Sequence, residues 1–79
     1  MIALKVLSPE AVLVSQDVDT VFLPGTQSRF QVLSDHAPLI SSLEEGTIVW
    51  RVDGKESSVA IRSGFVQVQD NTVIACVEQ

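Results

Sequence analysis

The sequence predicts an all-β domain, a sandwich or barrel of about nine short strands separated by closely spaced turns. Apolar residues make up 46% of the chain, yet only four residues are aromatic. The remaining core candidates are mainly Val, Ile and Leu, a composition that favours sheet. No segment carries apolar residues at helical spacing over more than about two turns.

The turn signals recur along the whole chain and divide it into short apolar or alternating runs. Proline, glycine, aspartate and asparagine each favour a turn for a different conformational reason. The signals are Ser8-Pro9, Pro24-Gly25, residues 35–38, Glu44-Glu45-Gly46, Asp53-Gly54, Ser63-Gly64 and Asp70-Asn71. All of these signals fall within one domain, residues 1–79, because 79 residues leave room for a single small core.

The first half of the chain contains one well-marked strand between two turns. Pro24-Gly25 predicts a turn in which Gly25 supplies a positive φ. Phe30 and Val32 then alternate with Arg29 and Gln31, which is the period of a half-buried strand. The run Asp35-His36-Ala37-Pro38 predicts a corner near the surface that leads into the segment 39–43, because proline disfavours a continuing ladder.

The second half predicts a hairpin and a central strand. Asp53-Gly54 is a preferred pair for a type I′ turn and lies between the runs 47–52 and 56–61. In the first run Ile48, Trp50 and Val52 share the buried face. Farther along, Val66 and Val68 alternate with glutamines, whereas the run 73–77 is apolar almost throughout and predicts a strand covered on both faces. Cys76 is then expected to be a buried, inert thiol.

Charge and composition exclude several function classes. The net charge is −5, with five basic residues scattered along the chain, which argues against a nucleic-acid partner. No apolar run reaches the length needed to cross a bilayer, and the N-terminus lacks the features of a secretory signal, so no direct membrane insertion is expected. The single cysteine excludes an intrachain disulfide.

The candidate catalytic and metal-binding groups are not convincing. Ser34, Asp35 and His36 are consecutive, so they cannot converge as a nucleophile, a base and an orienting acid. Asp17 and Asp19 point the same way on an extended segment, but no oxygen-rich loop accompanies them, and solvated charges are the better interpretation. Residues 24–26 do not continue into a phosphate-binding motif. We therefore expect no catalytic residues, no metal site and no cofactor, and a function that lies in a surface.

The order of these motifs resembles the N-terminal β-sandwich of the epsilon subunit of F-type ATP synthases, the counterpart of mitochondrial delta. The similar features span the chain: an opening strand ending in VLSPE, the PG turn before FQVL, the HAPLI corner, and the closing SGFVQVQDNTVIACVE. The resemblance implies a flattened antiparallel sandwich of about ten short strands. It also implies a non-catalytic rotor subunit that couples the gamma subunit to the c ring of a proton- or sodium-translocating synthase, at the cytoplasmic face of the membrane.

The resemblance also assigns partner-binding residues by position. The c-ring side would comprise Ser28, Arg29, Phe30, His36, Ala37 and Pro38. The gamma side would comprise Ser8 and Ser41. Relatives commonly have glycine where Asp35 stands, and aspartate can keep a left-handed bend there.

Two expectations remain open beside this one. Typical relatives continue into a C-terminal helical hairpin, whereas this sequence ends at Gln79. If the natural chain ends there, neither that hairpin nor ATP binding is expected; if the sequence is part of a longer chain, it represents only the sandwich. The alternative function is a free-standing β-sandwich module that binds a ligand or a peptide. Such a module should show a groove lined by aromatic side chains.

Overall fold

The computed structural model describes residues 1–79 and contains nine strands and no helix. The absence of helices means that no helical segment could cross a membrane. The strands are β1 (Ile2–Leu7), β2 (Val12–Val18), β3 (Thr20–Pro24), β4 (Arg29–Val32), β5 (Leu39–Leu43), β6 (Gly46–Val52), β7 (Lys55–Ile61), β8 (Ser63–Gln69) and β9 (Thr72–Glu78). The predicted all-β class is confirmed, with the strand number that the turn spacing predicts.

The strands form two sheets that enclose one core. The five-stranded sheet has the order β2-β1-β9-β8-β5, and the four-stranded sheet has the order β4-β3-β6-β7. All neighbouring strands are antiparallel except β1 and β9, which are parallel. The two sheets around one core confirm the predicted sandwich, with one parallel pair within it. The molecule measures 26 × 22 × 18 Å.

The core lies between the sheets and follows the alternation of the strands. Trp50 is only 7% exposed, as predicted, and Ile48 beside it is fully buried. Each sheet contributes every second residue, because successive side chains point to opposite faces of a strand. The 17 buried apolar residues are Ile2, Leu4, Val6, Val14, Val18, Val21, Leu23, Val32, Leu43, Ile48, Trp50, Ile61, Val66, Val68, Val73, Ala75 and Val77.

Two turns match their predicted backbone chemistry. Asp53 and Gly54 have φ of 51° and 78°, as a type I′ hairpin between β6 and β7 requires. Asp35 has φ of 64° and so keeps the left-handed bend at the corner. Its backbone N–H donates to Oδ1 of Asn71, 2.6 Å away, which connects this corner to the turn between β8 and β9.

The prediction for Gly25 is wrong in its reason. Gly54 is the only glycine with positive φ, so Gly25 does not supply the left-handed residue of a turn. Gly25 instead forms an isolated bridge to Leu43 on the other sheet. A Cβ at this position would lie 2.6 Å from the carbonyl oxygen of Ser28, so the site needs glycine because of a close approach.

The prediction that β9 is covered on both faces is also wrong. The strand is central in its sheet, between β1 and β8, but only Val73, Ala75 and Val77 point into the core. Cys76 points outward and is exposed, so it is not the buried thiol that its apolar neighbours suggest. No layer covers the outer face of the five-stranded sheet, and apolar residues on that face are open to solvent.

Candidate functional site

An apolar patch lies on the outer face of the five-stranded sheet. The term apolar patch refers below to this surface, which is formed by Leu7, Ile40, Phe65, Ile74 and Cys76. Phe65 is 66% exposed and Ile40 is 77% exposed. Single exposed apolar residues are ordinary on a protein surface, but a contiguous group marks an interaction site.

The strand register explains why these residues meet. Cys76 on β9 stands beside Leu7 on β1 and beside Phe65 on β8, so three side chains form one row across the sheet. In the adjacent row, Ile74 stands beside Gln67, and Gln67 beside Ile40. Neighbouring side chains on one face of a sheet are close enough to form a continuous surface.

A hollow of about 580 Å³ adjoins the apolar patch at the end where β1 and β9 finish. Leu7, Phe65 and Cys76 line it together with Ser8. Ser8 is fixed there by its own turn, because its Oγ accepts a hydrogen bond from the N–H of Ala11 at 3.2 Å. The structure therefore brings the predicted gamma-side residue Ser8 to the edge of the apolar patch.

A second hollow, of about 460 Å³, lies at the side of the sandwich between the edge strands β4 and β5. We call it the side hollow. It brings together Ser28, Phe30 and His36 from the predicted c-ring side and also Ser41 from the predicted gamma side. Ser42 lines this hollow and the first one. The two candidate surfaces are therefore continuous around β5.

The walls of the side hollow are held by hydrogen bonds between the sheets. Thr26 bonds Ser42 twice, through its backbone N–H at 3.1 Å and through the two hydroxyls at 2.8 Å.

His36 is held by a contact within the corner itself. Its Nδ1 lies 2.7 Å from the carbonyl oxygen of Ala37. A carbonyl oxygen only accepts hydrogen bonds, so Nδ1 carries the hydrogen and Nε2 is available to a partner.

The other predicted c-ring residues lie outside the side hollow. Nη1 of Arg29 donates to the carbonyl oxygen of Thr47 at 2.9 Å, which directs the side chain over the four-stranded sheet. Ala37 and Pro38 are exposed at the corner. Pro38 lines a smaller hollow with Leu39, Ile40 and Gln67, beside the apolar patch.

The structure does not bring together the residues that the sequence offered as catalytic or metal-binding candidates. No hydrogen bond joins the side chains of Ser34, Asp35 and His36, and the side chain of Asp35 instead accepts from Nδ2 of Asn71. Oδ2 of Asp19 accepts the N–H of Asp53 at 2.9 Å, so this carboxylate stabilises the turn between β6 and β7. No group of three or more His, Cys, Asp or Glu side chains is placed to hold a metal ion.

Sequence reasoning did not identify Ile40, Phe65 and Cys76 as surface residues, although a signal was present for two of them. Phe65 shares its face of β8 with Gln67 and Gln69, and Ile40 shares its face of β5 with Ser42. One apolar residue on the polar side of an alternating strand is ordinary, but two of them on neighbouring strands of one sheet indicate a surface that a partner covers. Cys76 gave no such signal because its whole segment is apolar.

Comparison with known proteins identifies a family. The family model of the ATP synthase delta/epsilon chain β-sandwich domain matches residues 1–79. The ATP synthase epsilon chain of Desulfitobacterium hafniense is 44% identical over 70 residues, 89% of this chain and 53% of its own length. The epsilon chain of Sulfurovum is 39% identical over 79 residues, 99% of this chain and 62% of its own length. The chain thus spans little more than half the length of such relatives.

Solved structures show the same fold. A chain of the Euglena gracilis mitochondrial ATP synthase, in a structure with OSCP, F1 and c-ring, superposes with a TM-score of 0.92 at 21% identity. The match covers 99% of this chain and 51% of that one. A chain in the central stalk and c-ring structure of the Tetrahymena thermophila mitochondrial ATP synthase gives 0.83 at 15% identity, covering 99% and 63%.

Proposed function

The chain belongs to the ATP synthase delta/epsilon chain β-sandwich family, and on that premise we propose that it is part of a non-catalytic central-stalk rotor subunit. In this role it couples the gamma subunit to the c ring of a proton- or sodium-translocating F-type ATP synthase during rotary ATP synthesis. The observation that carries the proposal is the family match over the whole of residues 1–79. The solved neighbours come from ATP synthase stalk and c-ring assemblies, which supports the same role.

The apolar patch is the proposed contact for gamma. Phe65 and Ile40 expose most of their surface, and covering them would remove apolar area from water. Ser8 lies at the edge of this patch, in line with its assignment to the gamma side. A partner that transmits torque needs a contact that resists shear, and a close-packed sandwich provides a stiff support for it.

The side hollow and the corner beside it are the proposed contact for the polar loops of the c ring. Ser28, Phe30 and His36 line this hollow, and Ala37 and Pro38 adjoin it on the chain. Ser41 lies in the same hollow, so we propose that it stands where the gamma and c-ring contacts meet. Arg29 lies outside the side hollow, because its guanidinium extends towards Thr47, but we keep it at the edge of the proposed c-ring contact.

The proposed location follows from these partners. A subunit held between gamma and the c ring is peripheral to the membrane, at its cytoplasmic face, and does not insert into it.

The alternative function, a free ligand-binding module, would need an aromatic groove. Each of the two larger hollows has one aromatic residue in its lining, Phe65 or Phe30, which favours the rotor role.

Binding to purified gamma subunit tests the proposal. We expect a one-to-one complex by size-exclusion chromatography and calorimetry, and Phe65→Ser should weaken it by at least about tenfold, because a buried aromatic anchor contributes strongly to an interface. Leu33→Ser is the matched control, since Leu33 is also an exposed apolar residue, at 54%, but lies outside the apolar patch.

Two outcomes would contradict the proposal. The first is the absence of a complex between folded chain and gamma. The second is equal weakening by the two variants, because this would mean that the apolar patch has no special role.

The c-ring contact has a test of its own. His36→Ala should reduce binding of the gamma complex to the ring while circular dichroism and thermal unfolding stay unchanged.

A further inference from the structure

A second exposed face lies on the opposite side of the sandwich and shares only Arg29 with the proposed c-ring contact. It is the outer face of the four-stranded sheet, where Arg29 and Arg51 flank Phe22 and Val49; we call it the arginine face. Phe22 stands directly beside Val49 in the β3–β6 register. Both apolar side chains are half-buried, so they form a shallow apolar strip between the two arginines.

Each arginine is held in place but keeps hydrogen-bond donors that the protein does not use. Nε of Arg51 donates to Oε2 of Glu56 at 2.9 Å, and its guanidinium carbon lies 5.3 Å from the ring centroid of Phe22. Nη1 of Arg29 donates to the carbonyl oxygen of Thr47. The remaining N–H groups of both guanidinium groups make no hydrogen bond in the structure. A guanidinium that is already oriented loses less entropy when it binds a carboxylate.

The charge of this face differs from that of the rest of the molecule. The chain has ten acidic and five basic residues. The arginine face has two arginines and one acid, Glu56, which is already paired with Arg51. The outer face of the other sheet has Lys5 against Asp17 and Glu78. Complementary charge therefore favours an anionic partner on the arginine face.

The positions along β6 from which the two arginines act indicate the form of that partner. Arg29 reaches the carbonyl of Thr47, and the backbone of Arg51 is four residues farther along β6, so these two backbone positions are about 13 Å apart in a strand. The guanidinium of Arg51 extends from its backbone towards Phe22. Residues i, i+2 and i+4 of an extended segment share one face and cover the same length. We propose that the arginine face binds an extended acidic segment of a partner protein, with carboxylates at i and i+4 on the two arginines and an apolar residue at i+2 on Phe22 and Val49.

A peptide titration followed by NMR tests this inference on the chain of 79 residues. The probe is Thr-Asp-Thr-Leu-Thr-Asp-Thr, and the control peptide has Asn in place of both Asp residues. We expect saturable amide shifts confined to β3, β4 and β6 with the acidic peptide, weakening as salt is raised. Arg51→Gln and Arg29→Gln should each weaken binding roughly two- to fivefold, as for exposed ion pairs. Lys5→Gln, on the opposite face, should leave it unchanged.

Several results would overturn the inference: no saturable shift, equal binding of the Asn peptide, or equal effects of Lys5→Gln and Arg51→Gln. Binding to vesicles that contain phosphatidylglycerol, without a response to the peptide, would also overturn it and indicate a lipid surface instead. Arg51→Gln should leave gamma binding unchanged, because Arg51 lies outside the apolar patch. The rotor proposal and this inference can therefore fail separately.

Discussion

Nη1 of Arg29 donates a hydrogen bond to the carbonyl oxygen of Thr47, 2.9 Å away, and reaches it across β3 beside Pro24. The paired register of β3 and β6 ends at Phe22 and Val49, and continuing it by two residues sets Pro24 opposite Thr47. Proline has no N–H to offer a facing carbonyl. Arg29 therefore supplies the donor that the strand itself lacks, so this predicted partner-binding residue also has a structural role.

Arg29→Met should accordingly lower the free energy of unfolding by about 1 kcal/mol, the usual contribution of one hydrogen bond. The side chain is exposed and water can partly replace it, so a much larger loss is not expected. Urea unfolding followed by the fluorescence of Trp50 measures the effect. Lys55→Met is the matched control, because Lys55 is an exposed cation of the same sheet without a hydrogen bond in the structure. Equal effects of the two changes would contradict the structural role.

Gly25 permits a close approach of the chain to itself. A Cβ there would lie 2.6 Å from the carbonyl oxygen of Ser28 and 3.0 Å from the ring of Phe30. Gly25→Ala should therefore destabilise the fold by about 1 to 3 kcal/mol, as overpacking does, and should shift the NMR signals of the side hollow.

Gly54→Ala provides the comparison for Gly25→Ala. A Cβ at Gly54 would meet nothing within 4 Å, and only its φ of 78° is unfavourable. We expect a cost of about 1 kcal/mol there and no change in the side hollow. If Gly25→Ala destabilised the fold no more than Gly54→Ala and left the NMR signals of the side hollow unchanged, the close approach would not be the reason for this glycine.

Asn71 connects two turns at one end of the sandwich. Its Oδ1 accepts the N–H of Asp35 at 2.6 Å, its Nδ2 donates to Oδ1 of Asp35 at 3.3 Å, and its own φ is 57°. Asn71→Gly removes the hydrogen bonds but tolerates the backbone, whereas Asn71→Ala also meets the left-handed penalty of about 1 to 2 kcal/mol. Thermal unfolding should show Asn71→Ala as the less stable variant; the reverse order would rule out this separation of causes.

Thr20 is a buried polar residue, and its side-chain hydroxyl forms hydrogen bonds to the neighbouring strand β4. It is 7% exposed, its Oγ1 donates to the carbonyl oxygen of Val32 at 3.1 Å, and it accepts from Nε2 of Gln31 at 3.1 Å. Thr20→Val keeps the shape but leaves the carbonyl without this donor, a loss of about 1 to 3 kcal/mol. Thr20→Ser keeps the hydroxyl and should cost less in the same unfolding measurement.

The sequence was informative where one face of a strand is polar and the other apolar. Alternation places Ile48 and Trp50 in the core, and Asp53-Gly54 has few alternatives to a type I′ turn.

Prediction from the sequence failed for Cys76, because a local pattern shows that a segment is apolar but not whether a second layer covers its sheet. It also failed for the reason behind Gly25, since an approach to Ser28 depends on the path of the whole loop. The grouping of Ser41 with His36 depends on how β4 and β5 meet at the side of the sandwich.

Cys76 reports directly on whether a partner covers the apolar patch. Its side chain is exposed and stands beside Phe65 and Leu7 on the outer face. The isolated chain should therefore react with iodoacetamide at a rate close to that of the chain unfolded in urea, because access does not require opening of the core. Saturating gamma subunit should slow this reaction strongly, and Phe65→Ser should restore it at the same gamma concentration. Mass spectrometry measures the labelling, with Cys76→Ser as the blank. Slow labelling of the isolated chain would mean that the face is closed, and unchanged labelling with bound gamma would move the gamma contact to another surface.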